Sequence, residues 1–174
     1  MELLNLMRNR RSIRTYTGQP ISQDKLDQIL RAGLLAPSSK NIRPVEFIVV
    51  ETKDTLRALA RSKAAGAVHL ANAACAIVVL GDSGQADAWI EDCSIAMTYM
   101  MLMAEQMDIG ACWIQERLRQ TASGQSAGDF VRELLAIPKQ YEVEAILALG
   151  ISAEQPSPRN WDKQETDKIH REQF

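Results

Sequence analysis

The segment Arg8-Asn9-Arg10-Arg11-Ser12-Ile13-Arg14 gathers four arginines into seven residues. If the chain is extended from Arg10, alternation places Arg10, Ser12 and Arg14 on one face and Arg11 and Ile13 on the other. Two guanidinium forks flanking a hydroxyl offer paired donors to anionic oxygens such as those of a phosphate. A solvated basic patch has the same composition, and spacing alone weighs the two readings equally. A second group, Pro37-Ser38-Ser39-Lys40-Asn41, sets hydroxyls and an amide in a stiff loop. Such a loop can hydrogen-bond a polar ring edge or a phosphate, and the same residue types also build ordinary helix-to-strand connections.

Absent motifs narrow the chemistry further. The sequence contains no G-x-G-x-x-G and no G-x-x-x-x-G-K-[ST], so the nucleotide fingerprints are missing. Its two histidines, His69 and His170, are too few for a zinc site. Neither neighbours a serine or cysteine nucleophile in sequence, and His69 reads as a packed or solvent-facing residue. Cys75, Cys93 and Cys112 lie far apart among apolar neighbours with no C-x-x-C pair. They read as reduced core thiols of a cytoplasmic protein. No side chain is therefore assigned a catalytic role, and the reactive group of an enzyme built this way belongs to a bound cofactor.

These residues must be positioned by a chain of 174 residues, 46% hydrophobic, with 20 basic against 22 acidic side chains. That length suits one domain. The charge balance argues against a nucleic-acid binder. The longest apolar region, Ile95 to Met107, is too short to span a bilayer, and the N-terminus places its charges after its few apolar residues, unlike a signal peptide.

Hydrophobic patterning predicts helices over 1–8, 22–33, 54–60, 64–74, 87–107 and 129–135, and buried strands over 45–50, 76–80, 112–115 and 144–149. Strands separated by helices give an α+β domain. The helix through Ile95, Met97, Met100, Leu102 and Met103 is apolar nearly all round, which reads as a face covered by a second copy of the chain rather than by a monomer's own core. After Gly150 the composition turns polar, with Trp161, Ile169 and Phe174 punctuating a trailing arm.

Taken in order, these pieces resemble the nitroreductase family of FMN-dependent oxidoreductases. The resemblance runs from Arg10-Arg11-Ser12-Ile13-Arg14-Thr15-Tyr16 through Ala36-Pro37-Ser38-Ser39-Lys40-Asn41, Arg43-Pro44 and Trp89 with Asp92 to Gly110-Ala111-Cys112-Trp113-Ile114, Ala148-Leu149-Gly150 and Pro158-Arg159. It implies a mostly antiparallel sheet flanked by helices, a core over 1–150, and an arm over 151–174 that wraps the partner subunit of a homodimer. It implies FMN as cofactor, held by Arg10, Ser12 and Arg14 at the phosphate, ribityl chain and pyrimidine edge, with Arg159 at the phosphate. Pro37, Ser38, Ser39 and Asn41 would reach the flavin from the partner chain, and Trp113, Ile114, Gln115 and Glu116 would run beside the isoalloxazine. The implied reaction takes hydride from NADH or NADPH and reduces a nitroaromatic, quinone or other small acceptor by a ping-pong mechanism. No metal, nucleic acid or membrane partner is implied. A flavin-binding or flavin-sensing dimer without turnover is the alternative. Where many relatives carry Gln-Pro-Trp, this chain has Arg43-Pro44-Val45.

Overall fold

The computed structural model describes residues 2–174, and Met1, the expected start of the first helix, lies outside them. Strands β1 (Val45–Val50), β2 (Cys75–Asp82), β3 (Gly110–Gln115) and β4 (Tyr141–Gly150) form the sheet. They pair antiparallel throughout in the order β1-β2-β4-β3. The central position of β2 follows from its unbroken apolar run, since every residue from Cys75 to Asp82 is buried. Helices α1 (Leu3–Asn9), α2 (Gln23–Leu34), α3 (Lys53–Leu59), α4 (Trp89–Gln106) and α5 (Ala127–Leu134) complete the α+β fold.

Each sheet face carries its own core. Leu26 and Ile29 of α2 and Met97 and Met100 of α4 pack with Ile77, Val79 and Leu147. Leu56 and Leu59 of α3 and Val131 of α5 pack with Val78, Ile114 and Ile146 on the opposite face. Alternate residues of each strand thus serve alternate layers. One irregularity breaks that alternation: Val79 faces Ala145 but Leu80 faces Val143, so Glu144 is an extra residue in β4.

The helix expected over 64–74 does not form. Alanine favours a helix, but Gly66 adopts φ +85° and only a short 3₁₀ turn, Val68–Asn72, follows before the chain enters β2. The left-handed glycine and the need to bury Leu70 override propensity. Strands β3 and β4 begin earlier than patterning predicted, and α5 starts two residues early because Ser126 Oγ accepts the Asp129 N–H at 3.3 Å. Ser22 occupies the N-cap position of α2 without a side-chain capping bond.

Within one chain α4 is only half covered. Ala96, Met97, Met100 and Ala104 are buried, while Tyr99 is 41% exposed. Tyr99, Leu102 and Met103 line an apolar groove of about 550 Å³ with Leu3, Met7 and Leu35.

The two chain ends are laced together. Ser12 bridges Ala111 in parallel fashion, and Ile13 N donates to Ala111 O at 2.9 Å. On the other side of this segment Thr17 N donates to Ile151 O and Ala153 N to Thr15 O, each at 2.9 Å, and Arg159 N to Arg8 O at 3.2 Å. Residues 151–159 therefore run antiparallel to 8–17. Two glycines permit the close approach: a Cβ on Gly110 would meet Ile13 Cγ2 at 2.8 Å, and one on Gly150 would meet Tyr16 Cδ1 at 2.6 Å. Tyr16 cannot yield easily, because its hydroxyl donates to Ile13 O at 2.7 Å. Replacing Gly150 with Ala is expected to lower stability by about 1–3 kcal/mol, the usual penalty for overpacking. Urea unfolding of the two proteins checks this, and an unchanged midpoint would show that Tyr16 is free to move.

Candidate functional site

Strand β3 is an edge of the sheet, and its outward backbone groups define a site. In an antiparallel ladder alternate residues turn their N–H and C=O away from the neighbour. Ala111 O accepts from Ile13 N and Gln115 O accepts from Lys63 Nζ at 3.1 Å, which fixes Ala111, Trp113 and Gln115 as the outward set. Between these two ties the N–H of Trp113 and of Gln115 face an open stretch roughly 13 Å long, at about 3.4 Å per residue. Arg14 and Lys63 flank this stretch; both act on Cys112 and on His69.

The side chains of the same strand are locked from behind. Trp113 Nε1 donates to Gln115 Oε1 at 2.8 Å, and Gln115 Nε2 donates to Glu144 Oε1 at 2.8 Å. The extra residue in β4 thus delivers the carboxylate that holds Gln115. On the opposite face Glu116 is fully buried, with Oε1 accepting from Ser62 Oγ at 3.0 Å and Oε2 buried without a partner. Burial, opposed by the Ser62 hydrogen bond and by Lys63, pushes its carboxyl from 4.5 up to about 7.

The lacing of the chain ends sets arginines against each other. Arg8 Nε donates to Arg159 O at 2.9 Å, and an Arg11 Nη1 donates to Ser157 O. Arg10 is half-buried, and its Nη1 is wholly buried with no hydrogen-bond partner. Burial first, and then the nearby Arg159 charge, lowers its pKa, with Glu105 of α4 opposing. A half-buried guanidinium with a free donor, set beside a second cation, has the chemistry to receive an anionic oxygen.

The loop from Pro37 to Arg43 forms a third group, held in a strained shape. Lys40, Asn41 and Arg43 have φ of +52°, +57° and +56°, and such left-handed residues each carry strain of order 1–3 kcal/mol. Arg43 N donates to Ser38 Oγ at 2.9 Å and Arg43 Nε to Asn41 Oδ1 at 3.0 Å. Ser39 N donates to Asp92 Oδ1 at 2.8 Å.

One chain brings together Arg10, Ser12, Arg14, Arg159 and the Trp113–Glu116 segment, but not Pro37, Ser38, Ser39 and Asn41. The loop leads into β1, the opposite edge of the sheet. With the N-terminal segment lying outside β3, four strand spacings of about 4.8 Å separate the two groups by roughly 19 Å. Sequence reasoning missed Lys63, which lay between two segments that patterned as helices, and Glu144, which patterned as ordinary strand. It read His69 as packed or solvent-facing; His69 is buried, with Nε2 lacking a hydrogen-bond partner. All three cysteines are free and buried. Among the described residues there is no cluster that could hold a metal ion, and no helix is long and apolar enough to cross a membrane.

The Nitroreductase family model matches residues 7–69 and 55–151, spanning the N-terminal segment and the entire sheet. The chain belongs to the Nitroreductase family. It is similar to an FMN-dependent nitroreductase from Clostridium difficile, at 41% identity and a TM-score of 0.96, covering 98% of this chain and 99% of that one. A protein from Archaeoglobus fulgidus, named as a candidate NADH dehydrogenase/NAD(P)H nitroreductase, is 33% identical over 99% of both chains. A candidate nitroreductase from Desulfovibrio desulfuricans, solved in complex with FMN, shares 25% identity and a TM-score of 0.80, covering 100% of this chain and 98% of that one. These names support an oxidoreductase that uses a nicotinamide nucleotide.

The raised pKa of Glu116 has a measurable consequence. The native protein holds this proton more tightly than the unfolded chain between pH 4.5 and about 7. The stability it contributes is therefore complete below pH 4.5 and is lost as pH rises through 7. Glu116→Gln should flatten that part of the profile, so thermal melts at pH 5, 6, 7 and 8 should fall less steeply than those of the parent. Parallel profiles would mean that Glu116 does not hold the proton.

Proposed function

We propose that this nitroreductase-family protein is an FMN-dependent oxidoreductase that takes hydride from NADH or NADPH and reduces a small acceptor, a nitroaromatic or quinone, by ping-pong turnover. The observation that carries the reading is the buried, unpartnered Nη1 of Arg10 beside Arg159. That pair fits the phosphate of FMN: it offers guanidinium donors and a concentrated positive charge where a dianion would relieve both the repulsion and the missing hydrogen bond.

Each group in the site has a task on this reading. Arg10 and Arg159 hold the phosphate, and Ser12 and Arg14, next along the same segment, hold the ribityl chain and pyrimidine edge. Trp113, Ile114, Gln115 and Glu116 lie beside the isoalloxazine, with the outward N–H groups of Trp113 and Gln115 as donors to its polar edge. Arg14 and Lys63 set positive charge where reduction adds negative charge, which favours the reduced form. When bound, FMN supplies the redox chemistry, accepting hydride from the nicotinamide and passing electrons to the acceptor. Donor and acceptor use the same open face in turn, so the chain needs no acid, base or nucleophile of its own.

Pro37, Ser38, Ser39 and Asn41 join this site from a second copy, because within one chain they sit across the sheet. The apolar groove of α1, α2 and α4 is the surface for that copy, with Leu34 and Leu35 exposed by 64% and 78% beside it. The core over 1–150 builds the dimer, and the arm over 151–174 wraps the partner beyond Arg159, where Trp161, Ile169 and Phe174 stand exposed on a lone chain. Buried free thiols suit the reducing cytoplasm.

Two measurements test the assignment. Anaerobic NADH or NADPH should bleach the flavin absorbance of the purified protein, and menadione or a nitro compound should restore it; persistent colour would favour a flavin-binding protein without turnover. Arg10→Ala should weaken FMN binding by roughly ten- to more than a hundred-fold, from the loss of a charged hydrogen bond worth about 1.5–3 kcal/mol. Undiminished FMN affinity would remove Arg10 from the site.

A further inference from the structure

The strained loop and the long helix share one buried tie. Asp92, in the first turn of α4, is 2% exposed, and its Oδ1 takes the Ser39 N–H at 2.8 Å. Most of the loop's other hydrogen bonds close within the loop: Asn41 N to Ser38 O, Ile42 N to Ser39 O, Arg43 N to Ser38 Oγ, and Arg43 Nε to Asn41 Oδ1. The ion pair of Lys40 with Asp87, at 3.6 Å, is solvent-exposed on both sides, so it does little to fix geometry. Pro44 O accepts from Asp82 N at 3.0 Å, which secures only the point where the loop becomes β1.

Three left-handed residues among Lys40, Asn41 and Arg43 do not hold that shape unless their surroundings over-determine it. A charged acceptor buried at the head of the loop supplies a hydrogen bond about twice as strong as a neutral one. Asp92 Oδ2 is also buried and without a partner. An acid placed there for stability alone would have both oxygens satisfied. We infer that Asp92 is a positioning residue: through Ser39 N it fixes the loop from Pro37 to Asn41 in the shape that meets the cofactor of the second copy. This rests on the reading of that loop as a flavin contact.

The test uses FMN titration of the reconstituted dimer, with the dimer confirmed by sedimentation and the visible circular dichroism of the bound flavin as a second readout. Asp92→Ala should weaken FMN binding by about ten-fold and change the flavin dichroism, while Asp92→Asn, which keeps an acceptor oxygen, should recover most of the affinity. A second pair of variants reaches the same bond from the loop. Ser39→Pro removes the donated N–H that Ser39→Ala keeps, and Ser38, at ψ 155°, already has the extended backbone that precedes proline. Ser39→Pro should therefore bind FMN about ten-fold more weakly than Ser39→Ala even if Asp92→Ala fails to fold. Equal affinities for Ser39→Pro and Ser39→Ala would overturn the role of Asp92, as would a dimer of Asp92→Ala with lower melting temperature but parental FMN affinity and dichroism. Asn41→Ala separates this from the underlying reading: if it leaves FMN binding untouched, the loop is no flavin contact and both claims fall. If it weakens binding while the Asp92 and Ser39 variants do not, only the positioning claim falls.

Discussion

The arrangement turns on like charges held side by side. Residues 151–159 return along residues 8–17, and this lacing carries Arg159 to Arg10. Nothing in a neutral fold requires two guanidiniums to meet, and one of them leaves a nitrogen buried without a partner. The fold accepts that expense because neighbouring contacts over-determine it: Ile13 and Tyr16 are buried over glycines 110 and 150, and Glu154 Oε1 takes the N–H groups of both Arg14 and Thr15. The proposed anion site is thus framed by backbone pairing between the chain ends, with the arginine side chains added at its tip.

The rest of the site uses the sheet in the same economical way. An edge strand is a hazard because it offers unpaired backbone groups. Here the N-terminal segment covers one end of β3 and Lys63 caps the other, leaving a short open stretch of donors between. The extra residue in β4 turns Glu144 toward Gln115 and stiffens the strand behind that opening. The loop before β1, at the far edge, holds three left-handed residues, and there the buried Asp92 of α4 accepts the Ser39 N–H.

Much of this was legible in the sequence, and the exceptions have physical causes. The apolar run at 76–80 marked β2, which is buried throughout, whereas the run at 45–50, expected as a buried strand, forms the edge strand β1, with Glu46 and Val49 exposed and only Val50 buried. The extended reading of Arg10 to Arg14 was sound, since Ser12 bridges Ala111 at the sheet edge and Ile13 N donates to Ala111 O. The stretch from 64 to 74 misled because alanine propensity says nothing about a left-handed Gly66 or a tertiary demand for Leu70. Spacing could not show that Arg159 meets Arg10, since 149 positions separate them; that came only through family resemblance. Lys63 and Glu144 left no local signal at all, because their roles depend on which strand ends at the edge and where β4 carries an extra residue.

The central claim is that Arg10 and Arg159 act jointly on one phosphate. Binding of FMN and of riboflavin, which differ by that phosphate, should be compared across the parent, Arg10→Ala, Arg159→Ala and the double variant. The account predicts a strong FMN preference in the parent, smaller in each single variant and nearly abolished in the double, with riboflavin affinity little changed throughout. An FMN preference that survives intact in the double variant would contradict it.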